Sequence, residues 1–502
     1  MNNLVLFCLF LTTFAFSGDH ASTSEQPPNV VIIYADDMGY GDLAVQNPDS
    51  KIPTPNLDRL AREGMRFTDA HSSSGICSPS RYALLTGKYH WRQQHNIVNS
   101  FGPPFFADTD VTLPQVLKDN GYNTACVGKW HLGWDWTFRN DSLAELAEAN
   151  KSVKVDRPED VDISGPIEGG PLSRGFDYYF GDGTINFPPY AWFENDRLLE
   201  VPTEVMHPDS VGYEVGEGKW EFRPGPMVKG WNPYEVLPTV TDKAVEYIGR
   251  QSADKPFFLY FSLPSPHAPI IPNEEFVGKT EAGAYGDFVY ETDYMIGRVL
   301  TALAEAGFAD NTLVIFSSDN GPEHYAFPRA ERYGHLSMGE LRGLKRDVWE
   351  GGHRVPMIVR WPGKIAGGAV RDQTISQIDV MPTVAAAAGI DLPSGAAPDG
   401  YDQRSLLTGS AADAPVRQVT VHNTYAARWG LRDGDWLYLD GPSGGVTRMP
   451  EEFAELRGFA DFDSEVLLFN LREDPGQRVN LSEEHPERVE RMQRLLEEVR
   501  AK

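Results

Sequence analysis

Four apolar runs in this chain each end in polar residues able to do chemistry, and that recurrence constrains the fold more than any other feature. NVVIIYADD (29–37) ends in Asp36 and Asp37, and YNTACVGKWHLG (122–133) carries Lys129 and His131. FFLYFSLPSPHAP (257–269) carries His267, and TLVIFSSDNG (312–321) ends in Asp319 and Asn320. Helix-like segments lie between the runs. Thr54-Pro55 supplies an N-cap and a first-turn proline, with Gly64 as the stop. Thr112 and Pro114 open a second helix that Gly121 closes, and 286–306 places Phe288, Met295, Ile296, Val299, Leu300 and Leu303 at helical spacing. Alternation of this kind predicts an α/β domain with a mostly parallel sheet. Open α/β sheets bind ligands at the carboxyl ends of their strands, so the four polar tails together define one site.

Between Trp134 and Gly230 the pattern gives way to Pro-, Asp- and aromatic-rich sequence. A stretch that long without periodicity reads as loops walling the cleft. After about residue 415 the character changes again. VHNTYAARWGLRDGDWLYLD and EVLLFNLREDPGQ read as short antiparallel strands with turns. A last helix places Val489, Met492, Leu495, Leu496 and Val499 on one face. The expected organisation is a catalytic domain over 25–414 and a small α+β subdomain over 415–502.

Residues 4–16, LVLFCLFLTTFAF, are apolar but too short to span a bilayer, and Ala15-Phe16-Ser17 offers small residues for cleavage. Residues 1–17 therefore read as a signal peptide, although no Lys or Arg precedes the run; the alternative is an unprocessed apolar tail. The expectation is an exported chain without stable membrane insertion, periplasmic or secreted, or in a lysosomal-type compartment in a eukaryote. Loss of the signal removes Cys8 and leaves Cys77 and Cys126 of the three cysteines. An exported chain can pair two such cysteines, or keep both as thiols. Net charge is −27, with 72 acidic against 45 basic residues spread along the chain. This argues against nucleic acid, which needs a basic footprint, and asks an anionic substrate to find a local cluster of cations.

Cys77-Ser78-Pro79-Ser80-Arg81 matches the C-x-P-S-R signature of type I sulfatases, and the resemblance extends further. YADDMGYGD, GKWHLG, SPHAPI, SSDNG and RGLKRDVWEGGHRVP are similar to that family's recurring segments and follow its order, while LREDPGQRVNL resembles its C-terminal subdomain. The resemblance implies an alkaline-phosphatase-like large domain, with a mostly parallel central sheet flanked by helices, plus a C-terminal α+β subdomain with an antiparallel sheet. It implies oxidation of Cys77 to formylglycine by a formylglycine-generating or sulfatase-maturating enzyme, so that the thiol is kept out of a disulfide. The hydrated aldehyde has one hydroxyl to attack sulfur and a second through which sulfate is later expelled.

By the same resemblance Asp36, Asp37, Asp319 and Asn320, with the Cys77 side chain, bind a metal. All-oxygen ligands suit calcium before magnesium. Arg81 would orient the diol, Lys129 and Lys345 would hold sulfate oxygens, His131 would take a proton and His267 would give one to the leaving group. The family often has glycine on both sides of the Lys345 position, where this chain has Leu344 and Arg346. Cations and aromatics elsewhere suit a sulfated sugar: Trp91, Arg92 and His95 past the Cys77 helix, His324, Arg329, Arg332 and His335 after the Asp319 strand, and His353-Arg354.

The expected function is hydrolysis of sulfate esters on a sulfated oligo- or polysaccharide. A phosphonate monoester or phosphodiester hydrolase could use the same aldehyde, but such relatives tend to carry histidine where this chain has Asn320. A silent glycan-binding member would have lost catalytic groups, and this chain retains them all.

Overall fold

The computed structural model describes residues 26–210, 212, 214–409, 414–425 and 428–502. The expected signal peptide, residues 1–17, lies outside the described residues. The four apolar runs form adjacent strands at the centre of a ten-stranded sheet. Asn29–Ala35 lies between Thr312–Ser318 and Phe257–Ser262, parallel to both, and Asn123–Lys129 pairs in parallel with Phe257–Ser262. Every residue of three of these strands is buried, and only Asn123 of the fourth is not. Burial on both faces is why they read as unbroken apolar runs; each fully buried Val, Ile or Phe contributes roughly 1.5–3 kcal/mol.

Helices cover the sheet where the spacing places them. Pro55–Glu63 follows Thr54, Leu113–Asp119 follows Thr112, whose hydroxyl accepts from the Gln115 amide, and Gly283–Glu305 buries Phe288, Met295, Ile296, Val299 and Leu303. The stretch 134–230 differs from the expectation of loops alone. Tyr178–Gly183 adds a parallel strand beside Asn123–Lys129, and Phe193–Glu194 and Arg197–Leu198 extend that edge antiparallel. The first is glycine-punctuated and the other two are two residues long each, so no period-2 run announces them.

Towards the other edge the pairing is antiparallel through Met357–Arg360 on Thr312–Ser318 and Met65–Phe67 beyond it, and Ala369–Arg371 ends the sheet parallel to Met65–Phe67. A separate four-stranded antiparallel sheet runs Val419–Thr424, Arg428–Asp433, Trp436–Leu439 and Leu467–Asn470. The last helix, Pro486–Ala501, buries Met492 and Leu496 against it. Cys77 and Cys126 are both free and buried, Cys126 within its strand as a small apolar side chain. Among the described residues no helix is long and apolar enough to cross a membrane.

Candidate active site

Polar residues gather past the carboxyl ends of the four central strands. Asp36, Asp37, Asp319 and Asn320 are each at most 1% exposed. Buried carboxylates need partners, and three cations supply them. The Arg81 guanidinium donates to Asp319 Oδ2 through Nε at 3.1 Å and Nη2 at 2.8 Å, and reaches Ser262 Oγ at 2.5 Å. Lys129 Nζ lies 2.5 Å from Asp36 Oδ2, and Lys345 Nζ lies 2.8 Å from Asp37. Burial pulls the Asp36 carboxyl up, and Lys129, Arg81 and Lys345 outweigh it to hold the group below the ordinary carboxylate range. The Asp319 carboxyl is raised, by burial and by neighbouring Asp36, against the pull of Arg81. Lys345 stays firmly charged: burial opposes the charge, and the Asp37 and Glu323 carboxylates overcome it.

Cys77 is the first residue of a wholly buried helix, Cys77–Thr86, so its side chain sits at the end where backbone N–H groups are free. Its Sγ is 3.6 Å from Asp36 Oδ1. Burial pushes the thiol's pKa up despite Lys129 and Lys345, which keeps it protonated and a poor nucleophile. Asp36, Asp37, Cys77 and His267 each bring one ligand atom within 4.8 Å of the others. Asn320 Oδ1 is buried with no hydrogen-bond partner, while its amide donates to Asp37 Oδ1 at 2.7 Å. An orphaned amide oxygen beside three buried carboxylates is a hard-oxygen set that fits calcium or magnesium.

The two histidines sit on either side. His267 Nε2 is 3.7 Å from Asp37 Oδ2, and burial together with Lys345 pushes its pKa down to about 3 against the opposing pull of Asp37. His131 Nε2 is 2.9 Å from the Val98 carbonyl oxygen, so Nε2 carries the hydrogen; Nδ1 is buried without a partner. Burial, Lys129 and Arg81 keep this ring neutral. The local backbone is specialised to present these groups. The pairing shifts register between Val127 and Lys129, and Gly128 has φ 107° with Ser262 O only 2.0 Å from where a Cβ would be. Asp37, His131 and Arg346 all occupy the left-handed region, with φ 64°, 50° and 79°, a cost of order 1–3 kcal/mol each. Arg346 thus adopts the conformation that glycine takes without strain, and it is clamped there by Glu323 at 2.5 and 2.7 Å. Leu344 is fully buried.

Six of the nine further sequence-selected residues fall in different places. His324, 40% exposed at its side chain, bonds Glu323, which lies 3.6 Å from Lys345 and borders the site. His335 is buried against Asp42 at 2.8 Å. Arg92 pairs with Asp399, and His95 Nδ1 lies 2.7 Å from Asn423 Oδ1, both at the junction with the C-terminal sheet. Arg332 lies over the Tyr333 ring at 5.1 Å. His353 is fully buried beside His71 and His422 rather than facing a cleft. Two residues with no sequence signal join the site. Asp182 lines a cavity with His131, Trp134, Trp136, Thr184 and Phe187; both its oxygens lack partners and burial raises its pKa to about 7. Trp220, 55% exposed, stands 6.2 Å from His324.

Sheet and site together define an alkaline-phosphatase-like α/β enzyme for anionic esters. The sulfatase family model matches residues 28–390. An N-acetylgalactosamine-6-O-sulfatase of Bacteroides thetaiotaomicron is 32% identical, with 95% of this chain and 94% of that one aligned. Human N-acetylgalactosamine-6-sulfatase is also 32% identical, over 95% of this chain and 86% of its own. A solved structure reported with the metabolism of multiple glycosaminoglycans by Bacteroides thetaiotaomicron superposes with TM-score 0.78 at 30% identity, covering 95% and 100%. The chain belongs to the sulfatase family and is a sulfuric ester hydrolase.

Proposed function

We propose that this sulfatase is exported and removes 6-O-sulfate from N-acetylgalactosamine units of a sulfated glycan, at a site built on Cys77. The observation that carries the catalytic part is the convergence of Arg81, Lys129, Lys345 and His267 with the buried carboxylates around the Cys77 side chain. The substrate reading is supported by the bacterial and mammalian relatives named for that activity, two of them aligned with this chain over 94% and 86% of their own length.

A thiol held protonated by burial cannot do the work its position asks for. Oxidation of Cys77 by a maturating enzyme would supply formylglycine, whose hydrate is an oxygen nucleophile. Calcium held by Asp36, Asp37, Asp319 and Asn320 would supply positive charge to that oxygen and to the sulfate. Lys129 and Lys345, fixed by Asp36 and Asp37, are placed to hold sulfate oxygens as point charges. Arg81 keeps Asp36 and Asp319 from repelling each other. His131, with its hydrogen on Nε2, accepts a proton at Nδ1. His267 rests neutral, and an arriving sulfate anion offsets Lys345 and raises its affinity for the proton it hands to the leaving oxygen. Trp220 and His324 offer exposed ring faces for a sugar, and Asp182 offers free carboxyl oxygens for its hydroxyls.

The test is sulfate release by matured protein from 6-sulfated and 4-sulfated N-acetylgalactosamine, 6-sulfated N-acetylglucosamine, a steryl sulfate, an aryl sulfate and a matched phosphate ester. The expected result is a preference of about tenfold or more in kcat/KM for the 6-sulfated N-acetylgalactosamine saccharide. Turnover of aryl or steryl sulfate with every glycan untouched would overturn the substrate reading.

A further inference from the structure

Arg346 follows Lys345 directly, and its backbone lies at φ 79°, in the left-handed region that glycine adopts freely and arginine does not. Strain of this kind persists only where the surroundings impose it and something is gained by it. The loop does not need the arginine side chain for its shape. The Lys345 amide donates to the Pro322 carbonyl at 2.9 Å, and the Arg346 amide donates to the Gly75 carbonyl at 2.7 Å. Asp347 accepts from the Leu344, Val446 and Thr447 amides, and the Thr447 hydroxyl donates to the Lys345 carbonyl at 2.7 Å. The backbone on both sides of Arg346 is therefore pinned by the segment before Cys77, by the loop after Asn320 and by the C-terminal subdomain.

What the side chain does is occupy a carboxylate. Arg346 Nη1 donates to Glu323 Oε1 at 2.5 Å and Nη2 donates to Oε2 at 2.7 Å. Oε1 also accepts from the amide and the ring of His324. Oε2 is the oxygen that faces Lys345, whose Nζ lies 3.6 Å from it and 2.8 Å from Asp37. Burial works against the Glu323 charge, and His324, Lys345 and Arg346 overcome it, so the group is a carboxylate well below its ordinary range. Glu221, buried nearby, feels Lys345 as well. Without the guanidinium fork, Glu323 is left facing Lys345. An ammonium closed between Asp37 and Glu323 has little charge left to offer an incoming anion.

We propose, resting on the reading of Lys345 as a holder of sulfate, that Arg346 is a positioning residue for that lysine: by taking both oxygens of Glu323 it keeps the carboxylate off Lys345 and leaves the ammonium free for the anion. Arg346 does not hold the sulfate itself, since both of its terminal nitrogens are committed to Glu323. A bidentate fork suits this task where a lysine would not.

The test is the dissociation constant of inorganic sulfate, by calorimetry at fixed pH and ionic strength with Ca2+ present. The proteins are wild type, Lys345→Ala, Arg346→Gly and the double variant Arg346→Gly/Glu323→Gln. Glycine accepts the left-handed backbone, so the loop is kept. Lys345→Ala and Arg346→Gly are each expected to bind sulfate about tenfold more weakly than wild type, and the double variant is expected to return to within about threefold of wild type. Sulfate binding that is absent in wild type, or unchanged in Lys345→Ala, would overturn the reading of Lys345 and this inference with it. A loss in Lys345→Ala with none in Arg346→Gly would overturn this inference alone. So would a loss in Arg346→Gly that Glu323→Gln does not repair, because the arginine would then be holding the anion or the loop rather than the carboxylate. If Arg346→Gly fails to fold, Arg346→Asn, which also tolerates that region of backbone space, takes its place in both variants.

Discussion

Replacing Arg81 by methionine keeps most of the apolar stem and removes one positive charge from between two buried carboxylates. Arg81 bonds Asp319 Oδ2 twice, at 2.8 and 3.1 Å, and lies 3.5 Å from Asp36 Oδ1. All three side chains are fully buried. Removing one partner of such a pair costs about 3–5 kcal/mol, because the charge left behind has neither partner nor water. In domains of 150–250 residues a kilocalorie moves Tm by about 2–4 °C; unfolding entropy grows with length, so about 1–2 °C is expected here. Arg81→Met should therefore lower Tm by roughly 3–10 °C in buffer with a chelator, which prevents an added cation from standing in for the guanidinium. Adding Asp319→Asn neutralises the orphaned carboxylate, and the double variant should recover more than half of the loss. It should recover no turnover, since the proposed site needs both groups. A double variant as unstable as the single one would refute this reasoning, because the cost would then lie in packing rather than in the buried charge.

Three other outcomes follow from the same geometry. Cys77→Ala should abolish sulfate release, whereas Cys126→Ala, which removes a free buried thiol with no role in the proposed reaction, should keep turnover within about twofold; the assay is sulfate release from one substrate. Asp182→Asn should raise KM by roughly tenfold and flatten the pH dependence of kcat/KM near 7, since the group it removes has its pKa raised to about 7 by burial. Glu291 is buried and its pKa is raised by burial to about 7, so the folded chain binds a proton that the unfolded chain has released. Its contribution is complete at low pH, and stability falls as pH rises from about 4 through 7, by up to about 3 kcal/mol. Glu291→Gln should accordingly gain on wild type in Tm between pH 5 and pH 8; an unchanged difference would show that Glu291 is already ionised at the lower pH.

What the sequence disclosed and what it hid have physical reasons. The central strands were legible because burial on both faces makes an unbroken apolar run, and their polar tails were legible because the fold places strand ends at one edge. The strand Tyr178–Gly183 was not, since half of it is Gly-Asp-Gly and only its neighbour makes it a strand. Cys77, Arg81, Lys129 and Lys345 stand in recurring local segments, so each could be singled out alone. Asp182 and Trp220 have no such context; topology alone brings them to the site. The same holds for His71 and His422, which are 351 positions apart and meet only across the seam between two sheets. Isolated histidines and arginines were the least informative. His335 and Arg92 proved to be partners of Asp42 and Asp399, a distinction no spacing could reveal.

Everything proposed for the reaction depends on Cys77 ceasing to be cysteine. The measurement that bears on this most directly is the mass of the tryptic peptide Phe67–Arg81, from protein made in a host that matures sulfatases. The account predicts a peptide that has lost one sulfur and two hydrogens and gained one oxygen, the composition of formylglycine. An unmodified Cys77 in protein that nevertheless releases sulfate at full rate would contradict it.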